Sequence, residues 1–194
     1  AAADGGAVSA MRRNTKIMNR LDLTRRLVAK LKDEAVIGGI GHSNFDLFAS
    51  GARPQNFYML GSMGLAAPIA LGVALAQPKR RTIALEGDGS ILMQLGCLAT
   101  IANLAPKNLA VIVWDNGMYQ ITGGQPAATA GRADLVEIAR GCGIQSAHWA
   151  NDETDFDRLI DAVLTTDGPH FIAVRTDNAI PKIQTPREPV AIKD

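Results

Sequence analysis

A three-layer α/β sandwich with a mostly parallel central sheet is the fold this sequence predicts, and three observations carry that prediction. Short apolar runs at residues 35–40, 82–86, 109–114 and 170–175 alternate with stretches of helical periodicity. The run at residues 65–76, Leu-Ala-Ala-Pro-Ile-Ala-Leu-Gly-Val-Ala-Leu-Ala, has small residues that let a helix lie close against a sheet. Gly87-Asp88-Gly89 and Asn116 each follow an apolar run directly, so their oxygens emerge together if the two strands are parallel neighbours. Carboxyl ends of strands are where α/β folds bind ligands.

Each element has a local reason. Residues 1–18 read as a flexible polar arm ahead of a domain spanning 19–177. Leu21, Leu23, Leu27, Val28 and Leu31 then predict an amphipathic helix with Arg and Lys outside. Residues 35–40 form a buried strand, and Gly41-His42-Ser43-Asn44 ends it and starts a helix with Ser43 or Asn44 near the cap. Gly51-Ala-Arg-Pro54 is a turn, and a short strand follows at 56–60. Pro68 falls in the first turn of the 65–76 helix, where a missing N–H costs little. A strand at 82–86, a helix at 92–104, a strand at 109–114 and a glycine-rich loop through Gly131 come next. The second half continues with helix 133–142, strand 144–149, helix 154–164 with an N-cap at Asp152, and strand 170–175. Pro181, Pro186 and Pro189 make 178–194 an extended tail that can lie across a partner.

Composition excludes several classes. Twenty basic residues balance nineteen acidic ones, with no basic run interleaved with aromatics, so no nucleic-acid partner is expected. Cys97 and Cys142 form no CxxC pair, which argues against a structural zinc site or disulfide framework and for a reducing compartment. No apolar run of about eighteen residues occurs, so no membrane association is expected and a cytoplasmic location is. Neither GxGxxG after the early strand nor GxxxxGK[ST] is present.

Twenty-six residues separate Gly87-Asp88-Gly89 from Asn116. Magnesium prefers hard oxygen ligands and can bridge phosphate oxygens to one or two side chains. Asp88 offers charge, Asn116 a neutral carbonyl, the flanking glycines a tight turn, and Ser90 a hydroxyl for a phosphate at the start of the next helix. A helix cap at Asp88 and a turn at Asn116 would explain either residue alone.

Together with Asp115-Asn116-Gly117-Met118-Tyr119, this spacing resembles the diphosphate-binding domain of thiamine-diphosphate enzymes. The resemblance implies a thiamine-diphosphate-binding fold, thiamine diphosphate and Mg2+ as cofactors, and Asp88, Asn116 and the Met118 backbone carbonyl as metal ligands, with Tyr119 and Gln120 at the cofactor edge. The family often has two asparagines where this chain has Asp115-Asn116. Gly61-Ser62-Met63-Gly64 is similar to the segment that receives the aminopyrimidine ring, with a carbonyl from Gly61 and Met63 as the apolar wedge beneath the bent coenzyme. The wedge brings the pyrimidine amine close to the reacting carbon, which gives Met63 its catalytic role. The resemblance also lays Gly41, His42, Ser43 and Asn44 against the diphosphate. His148 and His170 read as structural or surface residues, Cys97, Trp114 and Trp149 as packing, and Gly123-Gly124 as either a turn or a mobile loop.

The family activates its pyrimidine ring with a glutamate on a separate domain, and residues 20–177 leave no room for one; Glu86, immediately before the diphosphate motif, is not its substitute. A companion subunit supplying that glutamate, and hence a hetero-oligomer, is implied. The stretches 56–64 and 87–93 look especially like beta subunits of sulfopyruvate decarboxylase and related phosphonopyruvate decarboxylases. This resemblance implies a lyase releasing carbon dioxide and an aldehyde from a small acidic 2-oxo acid. An acetolactate-forming or oxidoreductase assembly, or a noncatalytic regulatory subunit, are the alternatives.

Overall fold

A computed structural model describes residues 15–186. Most of the expected arm (1–14) and the end of the expected tail (187–194) lie outside the described residues. The chain runs through α1 (Arg20–Lys30), β1 (Ala35–Gly38), α2 (His42–Ala49), β2 (Asn56–Tyr58), α3 (Ala66–Ala76), β3 (Thr82–Gly87) and α4 (Asp88–Ile91). It continues through α5 (Gly96–Leu104), β4 (Leu109–Asp115), β5 (Met118–Tyr119), β6 (Gln125–Pro126), α6 (Leu135–Gly141), β7 (Ser146–Trp149), α7 (Glu153–Thr165) and β8 (His170–Arg175).

Six strands make one parallel sheet in the order β2-β1-β3-β4-β8-β7. Every residue of β4 is buried, as a central strand covered on both faces must be. On one face, α3, α5 and α6 pack Ala70, Leu98, Ile101, Leu135 and Val136 onto Ala84, Val111, Val113 and Phe171. On the other, α1, α2 and α7 place Leu23, Leu27, Leu47, Phe156 and Ile160 against Val36, Ile83, Leu85, Ile112 and Val174. The expected three layers are therefore present. Phe156 is fully buried and tilts against Trp114 at 5.7 Å between ring centroids, a contact whose truncation to Ala would cost about 3–5 kcal/mol.

Local chemistry explains most boundaries. Asn19 caps α1 by accepting from the Asp22 amide at 2.9 Å, and Asp152 caps α7 by accepting from Asp155 at 2.8 Å. α7 buries Phe156, Leu159, Ile160 and Val163, the spacing of a single helical face. α3 is apolar on its outer side too, with Ile69 and Leu75 exposed while alanines face the sheet. Three boundaries depart from expectation. The cap of α2 is Gly41 at φ +80°, with no side-chain capping bond; a side chain there would overlap Ile121, and Asn44 turns inward instead. The expected helix over 92–104 opens as a 3-10 turn at Leu92–Gln94 and becomes α5 only at Gly96, and the short helix α4 precedes it at 88–91. The glycine-rich loop contains a small antiparallel hairpin, β5 with β6.

Residues 15–18 are bound to the domain. Met18 is buried, bridges to Thr176, and donates to the Arg175 carbonyl at 3.0 Å, while Asp177 donates back to the Met18 carbonyl at 2.9 Å. The first residues beyond β8 stay close as well: Arg20 donates to the Ala179 carbonyl and Gln120 to the Asn178 carbonyl.

Candidate functional site

The strand order changes direction at β1, which sends the chain outward to β2 before β3 returns to its other side. The carboxyl ends of β1 and β3 diverge at such a point and leave a crevice. Its lining includes His42 and Ser43 at the start of α2, Met63 ahead of α3, Gly87 to Ser90 after β3, Asn116 and Met118 to Thr122 after β4, and Thr176 after β8. Residues distant in sequence meet there because parallel strands deliver their following loops to the same edge of the sheet.

Asp88 is buried at the first position of α4, where its carboxylate accepts a hydrogen bond from Thr129 Oγ1. Burial, then the neighbouring Asp115 carboxylate, pushes Asp88 up to about 6, while the bond from Thr129 acts in the opposite direction. A cation beside these carboxylates would reverse both upward effects. Asp115 accepts from the Gly117 amide at 3.0 Å, and Gly117 itself turns at φ +73°. That turn presents Asn116 to the crevice. Asn116 Oδ1 accepts from the Met118 amide at 3.1 Å, and Nδ2 donates to Gln120 Oε1 at 3.2 Å, which fixes the orientation of the amide.

Gln120 is a junction that sequence reasoning placed only at the cofactor edge. Its Nε2 donates to the Asn178 carbonyl at 2.6 Å, so Oε1 is the acceptor, shared by Asn116 and by His42 Nδ1 at 3.0 Å. A neutral His42 therefore carries its proton on Nδ1. Two aromatic and aliphatic side chains roof the crevice: the Tyr119 ring lies where a Gly89 side chain would be, and Ile121 lies where a Gly41 side chain would be. Both glycines are thus required by close approach of the β5–β6 hairpin.

Met63 is half-buried and lines the crevice. It is presented by a loop in which Ser62 stands at φ +62° and Gly64 at φ +84°, the left-handed region. Gly61 and Ser62 are exposed beside it, outside the lining. Asn44 and Gly41 also lie outside the lining. Asn44 is buried in the first turn of α2, and its Nδ2 donates to the Met59 carbonyl at 2.9 Å, which ties that turn to the segment after β2. The Ser43 hydroxyl bends back to the Ile40 carbonyl at 3.4 Å, and the Ser90 hydroxyl is engaged by Glu86 and Gly64.

Among the described residues, no cluster of three His, Cys, Asp or Glu side chains suited to a metal occurs. One carboxylate, one amide and one backbone carbonyl is a different donor set, all hard oxygen, and with two phosphate oxygens it suits magnesium. The fit is supported by the two adjacent buried carboxylates, Asp88 and Asp115. Arg20, also in the lining, is bound to Asp46 at 2.6 Å inside the protein. No described helix is long and apolar enough to cross a membrane.

Comparison with known proteins agrees with this geometry. Residues 39–174 match the family model described as thiamine pyrophosphate enzyme, C-terminal TPP binding domain. A phosphonopyruvate decarboxylase from Streptomyces viridochromogenes is 41% identical over 154 residues, 79% of this chain and 38% of that protein. The sulfopyruvate decarboxylase subunit beta of Methanothermobacter thermautotrophicus is 38% identical over 177 residues, 90% of this chain and 92% of that subunit. Its counterpart in Methanocaldococcus jannaschii is 42% identical over 128 residues, 66% of this chain and 68% of that subunit. The chain thus spans well under half of the Streptomyces enzyme and nearly all of one archaeal subunit. With the matched region running from just after β1 into β8 and taking in every lining residue of the crevice except Arg20 and Thr176, the chain belongs to the thiamine pyrophosphate enzyme C-terminal TPP-binding domain family.

Proposed function

We propose that this chain is the diphosphate-binding subunit of a thiamine-diphosphate-dependent decarboxylase acting on a 2-oxo acid that carries a sulfonate or phosphonate. The observation that supports this most is the convergence of Asp88, Asn116, Met118 and Met63 on one crevice. Asp88, Asn116 and the Met118 carbonyl would hold magnesium. Gly89, His42 and Ser43 would line the diphosphate. Bound there, thiamine diphosphate would supply a nucleophilic carbon and an electron sink for the departure of carbon dioxide. Met63 would serve as the apolar support for the coenzyme, Tyr119 and Ile121 would exclude water, and Gln120 holds the Asn116 amide in place.

The substrate class rests on the similarity to sulfopyruvate and phosphonopyruvate decarboxylases. A companion subunit, giving a hetero-oligomer, rests on two facts. The similarity covers only part of the longer Streptomyces protein, while the archaeal proteins of matching extent are named as subunits. Among the described residues, the lining offers Arg20 and His42 as its basic side chains, and Arg20 is already bound to Asp46. Recognition of the substrate's sulfonate or phosphonate therefore falls largely to the companion, together with the activating glutamate.

Native mass spectrometry of the chain isolated from its source with magnesium and thiamine diphosphate identifies the companion. The purified complex is then assayed with sulfopyruvate and phosphonopyruvate. Release of carbon dioxide and the matching aldehyde without an added electron acceptor is expected. A carbon–carbon bonded product, or turnover that requires an electron acceptor, would replace this reading with a synthase or an oxidoreductase.

A further inference from the structure

Glu86 has no task in the cofactor reading, yet it is fully buried two residues before Asp88. Burial raises its pKa, and the groups that oppose this are neutral donors: Ser90 and the backbone amides of Ala67 and Ala66. Glu86 Oε1 accepts from the Ala67 amide at 3.1 Å, at the start of α3. Glu86 Oε2 accepts from the Ser90 hydroxyl at 2.5 Å, and Ser90 Oγ in turn accepts from the Gly64 amide at 2.7 Å. The carboxylate therefore reaches the Met63 loop by two routes, one direct through α3 and one relayed by Ser90.

The packing leaves this arrangement little slack. A side chain at Gly64 would approach the Ser90 carbonyl to 2.9 Å, so the two loops meet backbone to backbone. One at Gly39 would approach the Leu85 carbonyl to 2.9 Å and Glu86 Oε2 to 3.2 Å, so β1 closes the other side. An apolar side chain would fill the same space without the cost of burying a carboxylate. What it would lack is an acceptor for the Ala67 amide at the start of α3 and for the Ser90 hydroxyl that in turn holds the Gly64 amide.

We propose that Glu86 is a positioning residue that clamps the Met63 loop to the Asp88 loop, so that the wedge and the cation ligand keep a fixed separation. The purpose of the clamp rests on the cofactor reading above; its existence does not. Ser90 acts here as the relay between the loops, which turns its hydroxyl away from a phosphate-binding role. Wedge and metal ligand lie on different elements, and a shift on the order of 1 Å between them would be felt in the rate because the reacting groups must stay aligned.

Amide hydrogen exchange measured by NMR on the full chain, without cofactor, tests the clamp independently of any enzymatic activity. In Glu86→Leu, which keeps volume and removes both acceptors, exchange at Gly64 and Ala67 is expected to rise about tenfold or more, while β4 is unchanged. Glu86→Gln, which can still accept from Ala67 and donate to Ser90, should recover most of the protection. Ser90→Ala should release Gly64 alone. If Glu86→Leu loosens the whole sheet, Ser90→Ala decides: faster exchange at Gly64 with Ala67 still protected supports the clamp. Unchanged exchange at Gly64 in Ser90→Ala, or equal protection in the Leu and Gln variants, overturns it. In the complex with its companion and cofactor, Glu86→Leu should lower kcat more than it raises KM; loss of activity with unchanged exchange would also overturn the proposal.

Discussion

In an Asp88→Asn variant the cation-free chain should be more stable than the wild type at neutral pH, although it loses the carboxylate proposed to hold the cation. Folded Asp88 holds its proton up to about pH 6, against 3.8 for an ordinary aspartate, because it is buried and faces Asp115. The stability associated with that proton is complete below the ordinary value and is lost as pH rises through the folded one. At neutral pH the ionised group therefore destabilises the fold by about 3 kcal/mol, from roughly two pKa units at about 1.4 kcal/mol each. Asn removes the charge, can accept the hydrogen bond from Thr129 in place of the carboxylate, and can donate toward Asp115. Thermal unfolding in a chelator at pH 7.5 should show Asp88→Asn melting higher, by on the order of 5–10 °C for a domain of this size. At pH 5 the gain should fall to about half, since wild-type Asp88 is by then mostly protonated in the folded state. With magnesium and thiamine diphosphate at about a thousandfold the Kd the order should reverse, because binding then adds about 4.1 kcal/mol to the wild type alone, more than the roughly 3 kcal/mol that the buried charge costs it. An Asp88→Asn protein that melts lower at pH 7.5 in chelator, or whose advantage does not change with pH, would refute the charge argument.

Other substitutions separate the parts of the site. Gly89→Ala should displace the Tyr119 ring, which occupies that space, and lower cofactor affinity about tenfold while the melting temperature falls only slightly; calorimetry and thermal unfolding read the two effects. Gln120→Ala frees Asn116, His42 and the Asn178 carbonyl together, and should weaken magnesium-dependent cofactor binding by about tenfold, the scale of a lost hydrogen bond near charge. Met63→Ala should leave cofactor affinity nearly unchanged but slow proton exchange at the reacting carbon of the bound coenzyme, measured by NMR. Equal exchange rates in Met63→Ala and wild type would remove the wedge role.

The fold was legible because strand and helix signals alternate cleanly from residue 35 to residue 175, and a fully apolar strand such as β4 belongs at the centre of a parallel sheet. Asp88 and Asn116 were legible because each directly follows its strand, so adjacency of strands translates into adjacency of side chains. What escaped detection depends on contacts between loops. Asn44 looks like an anion donor at a helix start, yet the bend of the chain at Gly41 turns it toward Met59. Thr129 lies in an Ala- and Gly-rich stretch with no periodicity to mark it, and only the fold of the hairpin brings it onto Asp88. Glu86 reads as part of a buried strand, and its partners Ser90, Gly64 and Ala67 lie on a following helix and on an earlier loop. The break between α4 and α5 was hidden because Ile91, Leu98 and Ile101 remain in phase with a single apolar face.

The most direct test of the account is a calorimetric titration of thiamine diphosphate into the chain in complex with its companion, with magnesium and then with a chelator, for wild type and Asp88→Asn. Saturable binding that requires the cation in wild type and is lost or strongly weakened in Asp88→Asn is the predicted result. Binding of equal strength in chelator, or undiminished in Asp88→Asn, would contradict the assignment of the crevice as a cation-bridged diphosphate site.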